Sequence, residues 1–302
     1  MVDSLITGTP GDDELRGTDG ADYIIAGAGT DYVFAGAGAD LVLGGSGGDY
    51  LCGEDGDDHL FGGDDNDVME GGSGADIVSG DAGDDWLYGG DGRDSDISFD
   101  TLLGGAGNDH LYSENADLID GGSGDDLAIL IRQDAGIAFK VDFSTPDRTQ
   151  TLADGTVITG VERVEFYGGS GADTIRGGDG SDVLRSGGGA DQLWGGGGTD
   201  ILGGGSGRDR LVGGTGGDIF EFAYGTNRDR IIDFVPGEDR LSLQLAGVTF
   251  DQIVAATSRD PGNGLVTIDL SQIGGAPADR IELLTDPAHA FAFTPGDFLL
   301  FP

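Results

Sequence analysis

The most regular chemical feature of this sequence is an aspartate that recurs every nine residues between Gly8 and Ile97. A glycine stands two residues before nearly every one of these aspartates, and Asp65 is the one exception. Aspartate carboxylates are hard oxygen ligands, so a regular array of them points to the binding of metal ions. The array consists of Asp13, Asp22, Asp31, Asp40, Asp49, Asp58, Asp67, Asp76, Asp85 and Asp94.

The residues around each aspartate indicate how the chain would position it. In the block GGSGGDYLC (44–52), the glycines predict a turn, Asp49 is the acidic ligand, and Leu51 is the middle residue of a three-residue strand. A strand this short cannot bury its own apolar side chain, so such strands must stack and share one inward column. The expected column of the first block is Leu15, Ile24, Val33, Val42, Leu51, Leu60, Met69, Val78 and Leu87.

This pattern resembles the nonapeptide G-G-x-G-x-D-x-U-x of the RTX family, whose repeats bind calcium. A single GGxGxD match would mean little, but ten matches in unbroken register are specific. The resemblance implies an all-β fold: a parallel β-roll (a β-helix or solenoid) of calcium-binding nonapeptide repeats. We expect the roll to be interrupted by an irregular β insertion and closed by a C-terminal β cap.

The resemblance also implies how the ligands are arranged. In the RTX fold two nonapeptides make one coil, so residues 18 apart lie next to each other at roughly 4.8 Å. Asp13 would then lie beside Asp31, and Asp31 beside Asp49. Carboxylates this close repel each other, and calcium held by two aspartates and by turn carbonyls would relieve the repulsion. Counting stacked pairs in the two blocks predicts about twelve Ca²⁺ ions.

Further ligands are expected beyond the first array. The repeats GGAGNDHLY (104–112) and GGSGDDLAI (121–129) supply Asp109 and Asp126, and a second regular block covers residues 168–221. Its inward column is Ile175, Leu184, Leu193, Leu202, Leu211 and Phe220. Its candidate ligands are Asp173, Asp182, Asp191, Asp200, Asp209 and Asp218.

These patterns divide the chain into four expected parts. The first RTX block is 1–127, a β-strand insertion is 128–167, the second RTX block is 168–221, and 222–302 is a C-terminal cap with a type I secretion signal. In the insertion, AILIR (128–132), GIAFKVDF (136–143) and VERVEF (161–166) are typical of longer strands. In the cap, GLVTIDL (264–270) and DRIELL (279–284) are further expected strands. Residues 218–243 resemble the segment that closes many RTX arrays, with Asp229, Asp233 and Asp239 among strand residues.

The composition restricts the compartment and the partners. The chain has 62 Gly and 56 acidic against 15 basic residues in 302, a formal charge of −41, which argues against nucleic acid and anionic membranes as partners. We expect folding only when cations neutralise the array. Cys52 is the one cysteine, so no intrachain disulfide framework is expected, and we interpret it as a small outward-facing strand residue.

No apolar run reaches transmembrane length, and the repeats begin too early for a signal peptide. RTX proteins leave the cell unfolded by type I secretion, and residues 297–302 resemble the C-terminal signals of serralysin-type secreted proteases. We therefore expect a secreted, extracellular protein, or one attached loosely to the bacterial cell surface, with the type I secretion machinery as a transient partner.

We expect a binding or structural protein, in adhesion or in a cell-surface matrix, and not an enzyme. The repeats start at residue 8, which leaves no room for a catalytic domain before them, and His59, His110 and His289 are scattered without a zinc-binding helix. A nucleophile elbow needs a strand before it, a helix after it and a partner histidine, and the G-x-S-x-G match at 44–48 lies inside the repeat register, so we interpret it as a false positive. The alternatives are an enzyme with an unrecognised site on 128–167 or 222–302, and a pore-forming, membrane-active RTX protein.

The outward neighbours of the first column are unusually apolar, and in stacked coils they form two strips. We expect one strip to be covered by residues 128–167 or by a second protomer, and the other to remain open as a binding face, for polysaccharide stacking on its tyrosines. Strip A comprises Tyr32, Phe34, Tyr50, Cys52, Val68, Trp86 and Tyr88, and strip B comprises Tyr23, Ile25, Leu41, Leu43, His59, Phe61 and Ile77.

Overall fold

The computed structural model describes residues 3–90, 98–133, 136–223, 225, 227–260, 262, 264–276, 279–284 and 292–300. These residues form short strands joined by glycine-rich turns, with little helix. Strands β1 to β14 are Ser4–Thr7, Glu14–Arg16, Asp22–Ala28, Tyr32–Ala37, Leu41–Ser46, Tyr50–Asp55, His59–Asp64, Val68–Ser73, Ile77–Ala82, Trp86–Tyr88, Thr101–Ala106, His110–Ser113, Leu118–Ser123 and Leu127–Ile131. Strands β15 to β32 are Lys140–Asp142, Gln150–Thr151, Val157–Thr159, Arg163–Tyr167, Thr174–Arg176, Val183–Arg185, Gly188–Gly189, Gln192–Gly197, Ile201–Gly203, Ser206–Gly207, Arg210–Thr215, Ile219–Phe222, Arg228–Ile231, Arg240–Leu243, Thr257–Asp260, Leu265–Asp269, Arg280–Leu284 and Phe298–Leu300.

The chain forms two compact units. Unit 1 comprises residues 1–131 and 146–162, and unit 2 comprises residues 132–145 and 163–302. Residues 128–167, which the sequence sets apart as an insertion, therefore do not form a compact unit of their own. The reason is strand pairing: β14 continues the sheet of unit 1 beside β12, and β17 pairs with β13, whereas β15 pairs with β19 in unit 2.

Unit 1 contains two sheets, and up to β14 each strand pairs with the strand two positions earlier or later in the chain. Their orders are β1-β3-β5-β7-β9-β11-β13-β17-β16 and β2-β4-β6-β8-β10-β12-β14. Pairing is parallel except between β16 and β17, and from β1 to β10 it follows the 18-residue coil, so that Tyr32 stands opposite Tyr50 and Tyr50 opposite Val68. The step lengthens to 24 residues where Trp86 meets His110. The parallel β-roll expected from the repeats is confirmed.

The inward column is the core of unit 1. Ile24, Val33, Val42, Leu51, Leu60, Met69, Val78 and Leu87 are each 0% exposed, as the period predicts. Leu15 is half-buried, because β2 has a neighbouring strand on one side only. Burying side chains of this size stabilises the fold by roughly 1.5–3 kcal/mol each, and the gain depends on stacking because each coil supplies only two of them.

Unit 2 is also built from stacked parallel strands with a buried inward column, and these strands form two main sheets. Within it the orders are β18-β20-β23-β26-β28-β32 and β15-β19-β22-β25-β27-β31-β30-β29. Its expected inward column from Ile175 to Phe220 is fully buried. The two strands expected in the cap are present as β30 and β31, and together with β29 they pair antiparallel. An α-helix, α1 (Phe250–Ala255), begins after a capping box formed by Thr249 and Gln252. The 3-10 helices are Leu270–Gln272 and Pro295–Asp297.

Candidate metal sites and an outward aromatic face

The expected ligand aspartates of unit 1 form continuous ladders. The backbone N–H of Asp31 donates to Oδ1 of Asp49 (2.9 Å), and that of Asp49 donates to Oδ1 of Asp67 (2.8 Å). The same bond, one coil apart, repeats along two series of carboxylates, nearly all of them buried. The first ladder is Asp13, Asp31, Asp49, Asp67, Asp85, Asp109 and Asp126, and the second is Asp22, Asp40, Asp58, Asp76, Asp100 and Asp117.

Asp100 and Asp117 were not anticipated as ladder members. The expected ligand Asp94 lies outside the described residues. The backbone N–H of Asp76 instead donates to Oδ1 of Asp100 (2.9 Å), and the backbone N–H of Asp100 donates to Oδ1 of Asp117 (3.0 Å). Neither residue has a glycine two positions before it, which is why the repeat pattern missed them. Each is nevertheless followed two residues later by an aliphatic residue, Leu102 or Ile119, which is fully buried. The aliphatic residue two positions after the aspartate was therefore the sequence signal that could have identified Asp100 and Asp117.

Unit 2 carries two shorter ladders built in the same way. The six predicted aspartates are each in register, and each ladder gains one residue from the segment that closes the array, Asp229 or Asp239. The sequence singled out these two residues but did not assign them as ligands. The ladders are Asp173, Asp191, Asp209 and Asp229, and Asp182, Asp200, Asp218 and Asp239.

The second carboxylate oxygen of most ladder residues is buried and accepts no hydrogen bond from the described residues. Leaving a buried carboxylate oxygen unsatisfied is expensive, and a row of them requires a positive partner that the protein's own side chains do not supply. This holds for Oδ2 of Asp31, Asp40, Asp49, Asp58, Asp67, Asp85, Asp109, Asp126, Asp173, Asp191, Asp200, Asp209 and Asp218.

The first glycine of each repeat leaves open the space next to this oxygen. A Cβ added at Gly44 would lie 2.5 Å from Oδ2 of Asp49 and 2.6 Å from the carbonyl oxygen of Gly62. Carboxylate and carbonyl oxygens therefore approach the same small volume, as they do in oxygen-only calcium sites. No three His, Cys, Asp or Glu side chains converge on a metal-sized site in the described ranges. The residues thus fit ions held by stacked aspartates and backbone carbonyls together.

The electrostatics of the ladders also favour a cation. Burial raises the pKa of Asp49 to about 6 and the pKa of Asp58, Asp67 and Asp200 to about 7. Burial, followed by the charge of Asp209, also raises the pKa of Asp229 well above its usual range. Ionised carboxylates are therefore destabilised in these positions, and a divalent cation nearby would reverse the effect.

Both outward strips are open in the single chain. In strip A, Tyr32 is 51% and Trp86 42% exposed, and most of strip B is half-buried. The expectation that residues 128–167 cover one strip is wrong, because β14 and β17 lengthen the sheets beside β12 and β13 and β15 pairs with β19 in unit 2. Cover by a second protomer stays a prediction. Cys52 faces outward in register with Phe34 but is buried, and burial raises the pKa of its thiol to about 12.

The rings of strip A continue further along the stack than the sequence suggested. Trp86 stacks on His110 with ring centroids 4.2 Å apart and planes 4° apart, and Tyr88 contacts Tyr112 at 5.5 Å. Both partners come from HLY (110–112), which pairs in register with WLY (86–88) across the 24-residue step. His110 was expected to be an outward strand residue, and its stacking on Trp86 agrees with that.

A groove of about 400 Å³ runs along this part of the face. The hydroxyl of Tyr50 donates to Oε2 of Glu70 (3.1 Å), and the hydroxyl of Tyr112 donates to Oε1 of Glu114 (3.0 Å). Burial, together with Glu70, raises the pKa of Tyr50 to about 12, so the phenol remains a neutral donor. We call this feature the tyrosine groove, and it is lined by Tyr50, Val68, Glu70, Tyr88, Gly90, Tyr112 and Glu114.

Comparison with known proteins identifies the repeat. The model of the RTX calcium-binding nonapeptide repeat (four copies) matches residues 7–42, 43–78, 70–95, 97–128, 167–202 and 203–221. The AlgE6R3 subunit of a mannuronan C5-epimerase from Azotobacter vinelandii is 31% identical over 42% of this chain and 77% of its own, with a TM-score of 0.33. An extracellular lipase from Serratia marcescens is 18% identical over 88% of this chain and 45% of its own, with a TM-score of 0.34. No curated protein matches the sequence.

A helix that could cross a membrane is absent from the described part of the chain.

Proposed function

Because the chain belongs to the family of RTX calcium-binding nonapeptide repeat proteins, we propose that it is secreted, folds on extracellular calcium and then acts as a binding or structural protein. Its place would be in adhesion, or in a matrix at the cell surface. Calcium binding by the repeats is a property of the family. The secretion, the ligand and the structural role are the proposal.

The ladder aspartates are the proposed calcium ligands, including Asp100, Asp117, Asp229 and Asp239, which the sequence pattern did not assign. Calcium would supply the positive charge that these buried carboxylates lack. The chain contributes Oδ2 atoms from adjacent coils, and the glycine turns contribute carbonyl oxygens. The ladders contain eleven adjacent pairs in unit 1 and six in unit 2. If each adjacent pair can hold one ion, the structure allows more than the roughly twelve ions that the two repeat blocks alone predict.

The proposed extracellular location follows from the calcium affinity of such sites. Extracellular calcium modules bind at about 0.1–1 mM, which matches the medium outside a cell and far exceeds cytosolic calcium. Without calcium, the net charge of −41 opposes collapse. The chain would therefore remain extended inside the cell, in the state that type I secretion requires, and fold after export.

The open aromatic strip A is the observation that supports a binding role. Tyr32 and Tyr50 lie with ring centroids 6.2 Å apart, and Trp86 stacks on His110, which gives two groups of rings on the same sheet face with Val68 between them. Exposed aromatic surface of this extent is typical of interaction sites. A polysaccharide stacked on Tyr32, Tyr50, Trp86 and Tyr88 is the proposed partner, and a second protomer is the alternative occupant of the same face.

We propose no catalytic activity. The stacking of His110 on Trp86 supports this, because the imidazole serves as part of the aromatic row. An activity screen against polysaccharides, esters and peptides, with and without calcium, tests the point. Turnover that requires calcium would overturn the proposal.

Binding is tested with the full chain on a panel of bacterial surface polysaccharides. We expect retention in calcium, release by chelator, and loss of retention in Trp86→Ser with unchanged calcium binding. Trp194→Ser is the matched control, because Trp194 is an outward aromatic residue of unit 2 that already packs under Arg176. If Trp86→Ser, like the control Trp194→Ser, binds polysaccharide and self-associates as the wild type does, strip A has no binding role.

A further inference from the structure

The tyrosine groove combines aromatic faces with carboxylates. Tyr50 and Tyr88 flank Glu70 on the outward face of the sheet, since Glu70 is paired in register with Tyr88. Glu114 lies at the Tyr112 end of the groove. Neither Lys nor Arg is among the described residues that line it. Ring faces carry partial negative charge, so the groove presents negative charge and negative ring faces to the same volume.

In unit 2, a tyrosine–glutamate pair similar to that of the groove lies beside a cation that belongs to the chain itself. In unit 2 the hydroxyl of Tyr167 donates to Glu165 (2.9 Å), as Tyr50 does to Glu70, and the guanidinium of Arg185 lies 5.6 Å from the Tyr167 ring centroid. Arg176 lies 4.1 Å from the ring centroid of Trp194. The tyrosine of this pair in unit 2 therefore lies beside an intramolecular cation, the guanidinium of Arg185, which is itself ion-paired with Glu221 (2.7 Å).

The distribution of charge leaves unit 1 poor in such cations. Unit 1 has 34 acidic and 3 basic residues, whereas unit 2 has 22 acidic and 12 basic residues, which together account for the net charge of −41. The formal charge of unit 1 is thus −31, and about eight calcium ions in its first repeat block would leave it strongly negative. A field of this sign attracts cationic ligands to unit 1.

We infer that the tyrosine groove binds an alkylammonium group, of the trimethylammonium type, carried by a soluble ligand. A trimethylammonium cation is weakly hydrated and binds the faces of aromatic rings, with carboxylates nearby to balance its charge. The groove supplies three tyrosines and two glutamates around about 400 Å³, which holds such a group and the chain attached to it. This assignment rests on the proposed binding role of strip A and names the ligand class for one part of it.

Choline and its neutral isostere 3,3-dimethylbutan-1-ol separate charge from shape. In the calcium-saturated full chain, we expect choline to shift the resonances of the groove tyrosines in a saturable way. The isostere, which has a carbon in place of the charged nitrogen, should bind at least about tenfold more weakly. Equal amounts of sodium chloride control for ionic strength. Phosphatidylcholine vesicles should not sediment with the protein; co-sedimentation would overturn the soluble-ligand assignment in favour of a lipid headgroup.

Variants connect the binding to these residues. Glu70→Gln and Tyr88→Leu should each weaken choline binding about threefold to tenfold, with calcium stoichiometry unchanged. Glu165→Gln is the matched control in unit 2 and should have no effect. If Glu70→Gln lowers the folded fraction, Glu114→Gln at the other end of the groove replaces it.

The outcomes separate this inference from the proposed function. Equal binding of choline and the isostere would overturn the inference, because the groove would then recognise shape only. Absence of choline binding in a chain that still folds on calcium and retains polysaccharide would also overturn it, and would leave the proposed function intact. Failure to fold on calcium would overturn the proposed function itself.

Discussion

Replacing Gly44 by alanine should remove one calcium site in the middle of unit 1. The added Cβ would lie 2.5 Å from Oδ2 of Asp49 and 2.6 Å from the carbonyl oxygen of Gly62, and neither atom can move away easily because both belong to stacked coils. The φ of Gly44 is outside the left-handed region, so alanine is not excluded by backbone conformation. The effect therefore reports on the space between ligand oxygens.

The magnitude has two parts. Overpacking of a tight site costs about 1–3 kcal/mol. Loss of one ion, at a calcium concentration tenfold above its dissociation constant, costs about 1.4 kcal/mol more. We therefore expect Gly44→Ala to lower the stability of the calcium-loaded roll by about 2–4 kcal/mol and to reduce the stoichiometry by one ion.

Isothermal titration calorimetry gives the ion count, and urea denaturation at saturating calcium gives the stability. Gly203→Ala is the matched control, because a Cβ there has no neighbour nearer than 3.6 Å. Equal stoichiometry and stability in the two variants would refute the reasoning that the glycine preserves a metal site.

Three further predictions concern the ladders. Burial raises the pKa of Asp58 to about 7 from its ordinary 3.8, so the metal-free folded state binds more protons than the unfolded state. This contribution to stability is fully present below about pH 4 and is lost as the pH rises through about 7; circular dichroism in chelator should show β-structure appearing on acidification, and its absence at pH 4 would contradict the argument. Asp100→Ala should reduce the calcium count measured by calorimetry, whereas Asp64→Ala, an exposed residue outside the ladders, should not; equal counts would remove Asp100 from the ligand set. Asp49→Ala should lower the cooperativity of calcium-induced folding more than Asp13→Ala, because Asp49 has ladder neighbours on both sides and Asp13 on one; equal Hill slopes would count against stacked sites.

The repeat period was sufficient to predict the core and most of the ladders. A residue such as Leu51 must face inward because the nine-residue repeat places it at the same point of every coil, and the structure buries it fully. The period also predicted which carboxylates stack, since the coil length of 18 residues sets their register.

The positions that the sequence did not reveal lie where the period breaks. Asp100 follows Asp76 in its ladder after 24 residues, which is not a multiple of nine, so counting by nine could not find it. Residues 146–162 return to unit 1 while 132–145 belong to unit 2, and this exchange depends on pairing between strands distant in sequence. The exposure of strip A is also a property of the assembled chain, because no local pattern states whether another segment covers Trp86.

We expect the buried carboxylate ladders to bind calcium and thereby to drive folding, and small-angle X-ray scattering across a calcium titration tests this most directly. In excess chelator at neutral pH, an unfolded chain of 302 residues has a radius of gyration of about 60 Å. We predict that millimolar calcium reduces this radius cooperatively to less than about half, and that magnesium at the same concentration does not. A radius that is already small in chelator, and unchanged by calcium, would contradict the account.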